Sequence, residues 1–364
     1  MIGDECMKKR IGLVSGLLLI MFLMIIVGCT KQVQDNSDNR ISHNYEPKTR
    51  TYYIAAENVE WDYAPSVSSL KNHQSNKNAV SSEEIVWIEQ TKYNKVRYVE
   101  YTDETFTVKK EQPEWLGIMG PILRGVVGDK IQVYFKNNAE QPYSIHPHGL
   151  WYDKDNEGVV YSGMSGDELG KGAKIMPGEE FIYVWGVPER AGPGKAEGSS
   201  KVWMYHSHVD SVSDIYQGLL GTIIITDPKY ANEDATPNDI DKEFVNLFMI
   251  YNEAEEGMNK EEAEGHLKHS INGYIFGNLP GLKMNKGDKV RWHLIGMGTE
   301  VDLHTPHWHG ETVDFYGKRT DVVELLPATM LSVDMNADNV GEWMYHCHVT
   351  DHITAGMMAM YTIN

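Results

Sequence analysis

Cysteine is scarce in this chain: three in 364 residues, with Cys6 and Cys29 among the first 29 and Cys347 alone in the remainder. That excludes a fold stapled by disulfides. Also missing after residue 30 is any long stretch with helical apolar period; only Glu253 to Lys268 reads as a short polar helix. Positive charge is in deficit, with 33 basic residues against 52 acidic and a net charge of −19. Affinity for phosphates needs clustered Lys and Arg, so nucleic acid is excluded as a partner. The acidic surface favours solubility and sets up a field that draws cations. The 18 methionines are scattered with no methionine-rich insert and, apart from Met357, read as core filler.

The chemistry that is present concentrates near the C-terminus, from Trp343 to Met357. Cys347 supplies a thiolate, His352 an imidazole five residues on, and Met357 a thioether ten residues on. With one more histidine this is the soft ligand set of a blue-copper site. In an extended strand side chains alternate faces, so His346 and His348 point one way and Cys347 the other. One strand end can therefore serve two metal sites back to back. Three further clusters follow the same logic: His146-Pro147-His148-Gly149, His206-Ser207-His208, and His304-Thr305-Pro306-His307-Trp308-His309-Gly310. The four clusters hold ten of the 15 histidines, each beside an apolar or aromatic run.

The chain repeats itself. Gly128-Asp129-Lys130-Ile131 precedes the first His-x-His-Gly and Gly287-Asp288-Lys289-Val290 the second, while Trp203-Met204-Tyr205-His206-Ser207-His208 returns as Trp343-Met344-Tyr345-His346-Cys347-His348. Ser207, Val212 and Gln217 stand where Cys347, His352 and Met357 stand in the second half, so the first half has lost the mononuclear site. Short β-branched and aromatic runs bounded by Gly, Asn, Asp and Pro predict an all-β fold of Greek-key sandwiches. The length suits two domains: residues 50–226 and 241–364, joined by a linker over 227–240.

In order and spacing the four clusters resemble the ligand motifs of the multicopper oxidases. The resemblance implies two tandem cupredoxin-like β-sandwiches and four coppers per chain. It gives His304, Cys347, His352 and Met357 to a mononuclear copper. His146 and His307 fall to the single copper of a trinuclear cluster, His148, His206 and His348 to one copper of its pair, and His208, His309 and His346 to the other. Four coppers can store the four electrons that reduce O2 to water, and Cys347 is covalently continuous with two cluster ligands. A pure electron carrier would need only the mononuclear site. Copper nitrite reductases carry that site in the first domain and lack the binuclear pair. Tyr152 and Glu157, just beyond His148, and Asp302, two residues before His304, are candidate proton suppliers to O2 reduction.

Within that family the resemblance is to the ceruloplasmin and hephaestin branch, through Trp115-Leu116-Gly117-Ile118-Met119-Gly120-Pro121, Ile271-Asn272-Gly273-Tyr274 and His348-Val349-Thr350-Asp351-His352. It implies Fe(II) as the reductant, with Glu264, His269 and Asp351 at the iron site. The alternatives are a small aromatic reductant, as in a laccase-like phenol oxidase, or Cu(I). Each half supplies four cluster histidines, so the cluster must lie between a first and a second domain. Similarity to two-domain laccases implies a homotrimer with intersubunit clusters, since a head-to-tail contact must close by rotation or grow into a filament. At the N-terminus, Met7-Lys8-Lys9-Arg10 and the apolar run from Ile11 to Val27 read as a secretory leader. Its end, Ile26-Val27-Gly28-Cys29, resembles a lipoprotein cleavage box. Residues 1–29 would then be a signal peptide ending in a lipidated Cys29 and residues 30–49 a polar tether, giving an extracytoplasmic, membrane-anchored lipoprotein on the cell surface or periplasmic face.

Overall fold

The β-branched and aromatic runs form strands. The computed structural model describes residues 45–66, 90–255, 257–299 and 302–364. The leader, Cys29 and the tether as far as residue 44 lie outside the described residues. Eight strands come from the first half: β1 (Thr49–Asp62), β2 (Lys92–Tyr101), β3 (Ile122–Val126), β4 (Lys130–Asn137), β5 (His146–Pro147), β6 (Glu180–Gly186), β7 (Ser200–His206) and β8 (Leu220–Thr226). They build two four-stranded sheets, ordered β2-β1-β4-β6 and β3-β8-β7-β5.

The second half contributes β9 (Lys242–Asn252), β10 (Leu267–Ile271), β11 (Lys283–Met284), β12 (Lys289–Gly296), β13 (Pro306–Trp308), β14 (Val313–Phe315), β15 (Lys318–Thr320), β16 (Met330–Asn336), β17 (Gly341–Cys347) and β18 (Met358–Ile363). Their sheets run β10-β9-β12-β16-β14-β15 and β11-β18-β17-β13. The pairing plan is duplicated: β1 lies parallel to β4 and antiparallel to β2, and β9 lies parallel to β12 and antiparallel to β10. The fold is all-β, two cupredoxin-like sandwiches.

Among the described residues three short α-helices interrupt the strands: α1 (Ser211–Gln217), α2 (Lys260–Glu264) and α3 (Thr350–Thr354). The Asp210 side chain caps α1, and Gly218, at φ 113°, ends it. The helix read over 253–268 is confined to α2. Leu267 and Lys268 belong to β10, where pairing with β9 satisfies backbone groups that a longer helix would have left open.

Three apolar cores explain why β8 and β9 are hydrophobic on both faces. Ile223 and Ile225 of β8 enter the core of the first sandwich, and Phe244, Phe248 and Ile250 of β9 that of the second. The opposite faces, Leu220 and Ile224 with Val245, Leu247, Met249 and Tyr251, meet in a third core between the sandwiches. At roughly 25 cal/mol per Å² of buried apolar surface, this third core favours one fixed arrangement of the halves. Polar groups pin its edges. Buried Arg291 grips Asp334 at 2.7 and 2.8 Å and reaches the Ser199 and Ser200 hydroxyls of the other sandwich at 2.8 and 2.9 Å. Arg124 pairs across with Glu243 at 2.8 Å, and Glu243 accepts from His293 at 2.9 Å.

Two of the motifs singled out in the sequence mate at this border. The Asn272 side chain accepts from Leu247 N–H at 2.6 Å and donates to the Val245 and Trp115 carbonyls at 2.8 and 2.7 Å. Its backbone carbonyl takes the Ile118 N–H at 3.1 Å. Gly117 sits at φ 60°, and a Cβ there would lie 2.1 Å from the Asn272 oxygen, so only glycine permits the approach.

Candidate metal centre

Pairing of β13 with β17 sets Pro306 opposite Cys347 and His307 opposite His346, and this one register builds two sites. On one side, His304 Nδ1 and His352 Nδ1 lie 3.2 Å apart, with Cys347 Sγ 4.0 and 3.6 Å from them. All three ligand atoms fall within 4.8 Å of one another, and all three residues are buried. α3 brings in His352. Met357, fully buried, ends the same turn: its N–H bonds the His352 carbonyl and its carbonyl takes the Cys347 N–H. Burial raises the Cys347 thiol above its usual pKa even though the Thr305 N–H points at Sγ from 3.3 Å. A cation that displaces the thiol proton would therefore stabilise the site. One buried thiolate, two facing imidazoles and a thioether form a donor set that fits copper.

On the other side of β17, His307, His309 and His346 converge, with Nε2 of His346 3.0 Å from His309 Nε2 and 3.2 Å from His307 Nδ1. His348 joins at ring distances of 5.0 Å from His307 and 5.6 Å from His346. His346 Nδ1–H donates to the Cys347 carbonyl at 2.8 Å, a second link between the two sites beside the covalent one.

The first half repeats the arrangement. His146, His148, His206 and His208 gather with ring centroids 5.3 to 5.6 Å apart. His148 Nε2 lies 3.1 Å from His206 Nε2, and His206 Nδ1–H donates to the Ser207 carbonyl at 2.9 Å. Desolvation lowers His148 to about 4, His206 to about 3 and His346 to about 4. These imidazoles are neutral at pH 7, the form that binds a metal. Among the described residues, ring contacts join histidines within each quartet, and none joins one quartet to the other.

Where the first half has lost its mononuclear ligands, the space is filled. Ser207 donates to Asp214 of α1 at 2.6 Å, and burial raises the Asp214 acid. Val212, the counterpart of His352, is exposed.

The remaining sequence candidates divide by location. Tyr152 stacks edge-on to His146 at 5.8 Å. The Glu157 carbonyl accepts from His146 Nδ1 at 2.7 Å, while its carboxylate engages Lys154 and the Tyr161 hydroxyl. Asp302, read as a proton supplier, lies at the mononuclear site instead: Oδ1 is 3.5 Å from His304 Nε2. The two-residue spacing from His304 sets it behind that ring. His269 lies 5.3 Å from the His352 ring with its buried Nδ1 unpartnered, close enough to feel the Asp351 charge. Glu264 ends α2 with an exposed side chain 3.8 Å from Lys260. One residue went unread in the sequence: Asp321, whose Oδ2 is 3.5 Å from His307 Nε2 in an open cleft of about 610 Å³. It sits in no motif, and only the bridge between His307 and Val322 brings it there.

Two family models, both described as multicopper oxidase, match residues 99–230 and 249–364. Human "Ferroxidase HEPHL1" is 37% identical over 87% of this chain and 29% of its own length. Human "Ceruloplasmin" is 39% identical over 86% and 30%, and rat "Hephaestin" 35% over 86% and 29%. The chain thus spans about three tenths of these relatives. A solved structure described as "Crystal structure of multicopper oxidase" superposes with a TM-score of 0.60 at 20% identity, covering 87% of this chain and 89% of that one, a likeness of fold.

Proposed function

From the chain's membership of the multicopper oxidases we propose a ferroxidase: four Fe(II) give up one electron each, and one O2 takes these with four protons to yield two waters and four Fe(III). Copper at these ligands supplies one-electron redox chemistry at the thiolate site and dioxygen reduction at the histidine cluster. The observation that carries the reading is the back-to-back arrangement of His304, Cys347 and His352 with His307, His309 and His346 on the two sides of the β17 end. A count of four coppers per chain rests on twelve positions: His304, Cys347, His352 and Met357, and the two quartets. Cys347 passes electrons along its backbone and through the His346 hydrogen bond. His269 and Asp351, beside His352, offer an imidazole and a carboxylate to Fe(II), and negative charge there favours Fe(III) still more.

The cluster forms between subunits. Its two quartets gather separately, each complete within its own sandwich, so a second copy of the chain must supply the missing half. Exposed Trp151, packed over Gly186, continues the outward row of Ile182 and Val184, an apolar stripe that an adjoining copy would cover. Three copies joined head to tail would close the ring. The leader reading places this ring at an extracytoplasmic membrane surface, on the cell surface or periplasmic face, through lipid on Cys29.

A laccase-like reading retains one supporting feature: Leu303 and Leu326, next to the bridged pair His304 and Leu325, are exposed and would suit a phenol. Steady-state kinetics with Fe(II), Cu(I), Mn(II) and a phenol on one preparation distinguish the readings. For a ferroxidase, Asp351→Ala raises KM for Fe(II) about tenfold or more and leaves phenol turnover near that of the parent. Parental Fe(II) kinetics in that variant would transfer the assignment to the phenol oxidase.

A further inference from the structure

Asp302 is a carboxylate beside His304 at the thiolate site. It is 1% exposed. Oδ1 accepts the Ile250 N–H at 2.9 Å, and Oδ2 accepts the Thr299 N–H at 2.7 Å and its hydroxyl at 3.2 Å. The turn at Gly298, φ 126°, wraps so closely that a Cβ there would lie 2.1 Å from the Asp302 carboxyl carbon. Among the described residues no Lys or Arg pairs with it. What it faces is His304, whose buried Nε2 has no hydrogen-bond partner and lies 3.5 Å from Oδ1, the carboxylate beside it. His304 turns Nδ1 toward Cys347 and His352, so with copper on Nδ1 the ring proton sits on Nε2, the side on which the carboxylate lies. The duplicated half supplies a comparison: Tyr143 replaces His304, and the residue two before it is Gln141, exposed to solvent. The buried carboxylate is present only where the imidazole is.

We propose that Asp302 is a positioning residue which fixes the His304 ring by accepting its Nε2–H and, by its negative charge, lowers the reduction potential of the copper that His304 holds. This rests on the mononuclear copper reading above. A metal-ligating imidazole backed by a carboxylate is a stronger donor, and the added charge stabilises Cu(II) over Cu(I). The lower potential makes onward transfer of the electron to the histidine cluster more favourable.

The test is Asp302→Asn in the copper-loaded, full-length protein. Copper content and blue absorption are recorded first; a colourless, fully loaded parent would end the mononuclear reading itself, separately from this inference. Spectroelectrochemical titration then reads the Cu(I) to Cu(II) ratio at fixed potential. We expect a shift of about tenfold toward Cu(I), equal to about 59 mV upward, with melting of the metal-free form followed in parallel. A blue variant with a ratio within twofold of the parent overturns the proposal. If the variant does not fold or load, pulsed EPR on the parent decides. The remote nitrogens of His304 and His352 should have distinct quadrupole couplings, and equal couplings would leave Asp302 no role at His304.

Discussion

Replacing Asn272 by alanine should loosen the joint between the sandwiches, and the structure sets the size of the effect. The side chain satisfies three buried backbone groups, Leu247 N–H and the Val245 and Trp115 carbonyls. An orphaned buried N–H costs about 1–3 kcal/mol and each carbonyl about 1. Asn272 also sits at φ 53°, where asparagine is tolerated and alanine costs about 1 kcal/mol more. The sum is about 4–6 kcal/mol. At roughly 2 °C per kcal/mol for a chain of this size, Tm should fall by about 8–12 °C. Differential scanning calorimetry on copper-loaded and copper-free protein measures it. Gly117→Ala attacks the same latch from the other sandwich, driving a methyl into the Asn272 carbonyl, so the double variant should lose less than the sum of the two. A Tm within 2 °C of the parent for Asn272→Ala, or strict additivity in the pair, would show that this latch does not hold the domains together.

Cys347→Ser should abolish blue absorption and substrate oxidation while the histidine cluster keeps most of its copper; elemental analysis with EPR reports both. Chains carrying His148→Ala and chains carrying His309→Ala should each be inactive. Co-assembled they should recover part of the parental O2 consumption, because one interface of a mixed ring can draw intact ligands from both; no recovery in a verified mixed oligomer contradicts the intersubunit cluster. Acid should destabilise the metal-free protein. Burial lowers His148 to about 4 and His206 to about 3 from an ordinary 6.5. Between pH 6.5 and 4 the unfolded chain therefore takes up protons that the folded one refuses, and stability falls as pH falls. A melting series showing a flat or rising Tm over that interval would be incompatible with these buried neutral imidazoles.

The grouping of the histidines with Cys347 was legible in the sequence because each motif is a local pattern. Strand alternation alone puts His346 and His348 on one face and Cys347 on the other, and the duplication of Trp203 to His208 as Trp343 to His348 exposes Ser207 as the lost thiolate. Strand content, the all-β class and the two-sandwich plan followed from short β-branched runs for the same reason. Tertiary structure decided whatever depends on contacts distant along the chain. Asp321 reaches His307 through a bridge between loops, and Asp302 turns behind His304 because Ile250, 52 residues away, supplies a backbone N–H. Asp214 fills the vacated first site from a helix that its cap, Asp210, and its terminator, Gly218, make possible. The isolation of the two histidine quartets was likewise invisible in the ligand count. β8 and β9 turn their second apolar faces on each other, and this contact between residues distant along the chain sets how the two sandwiches, and with them the quartets, are placed.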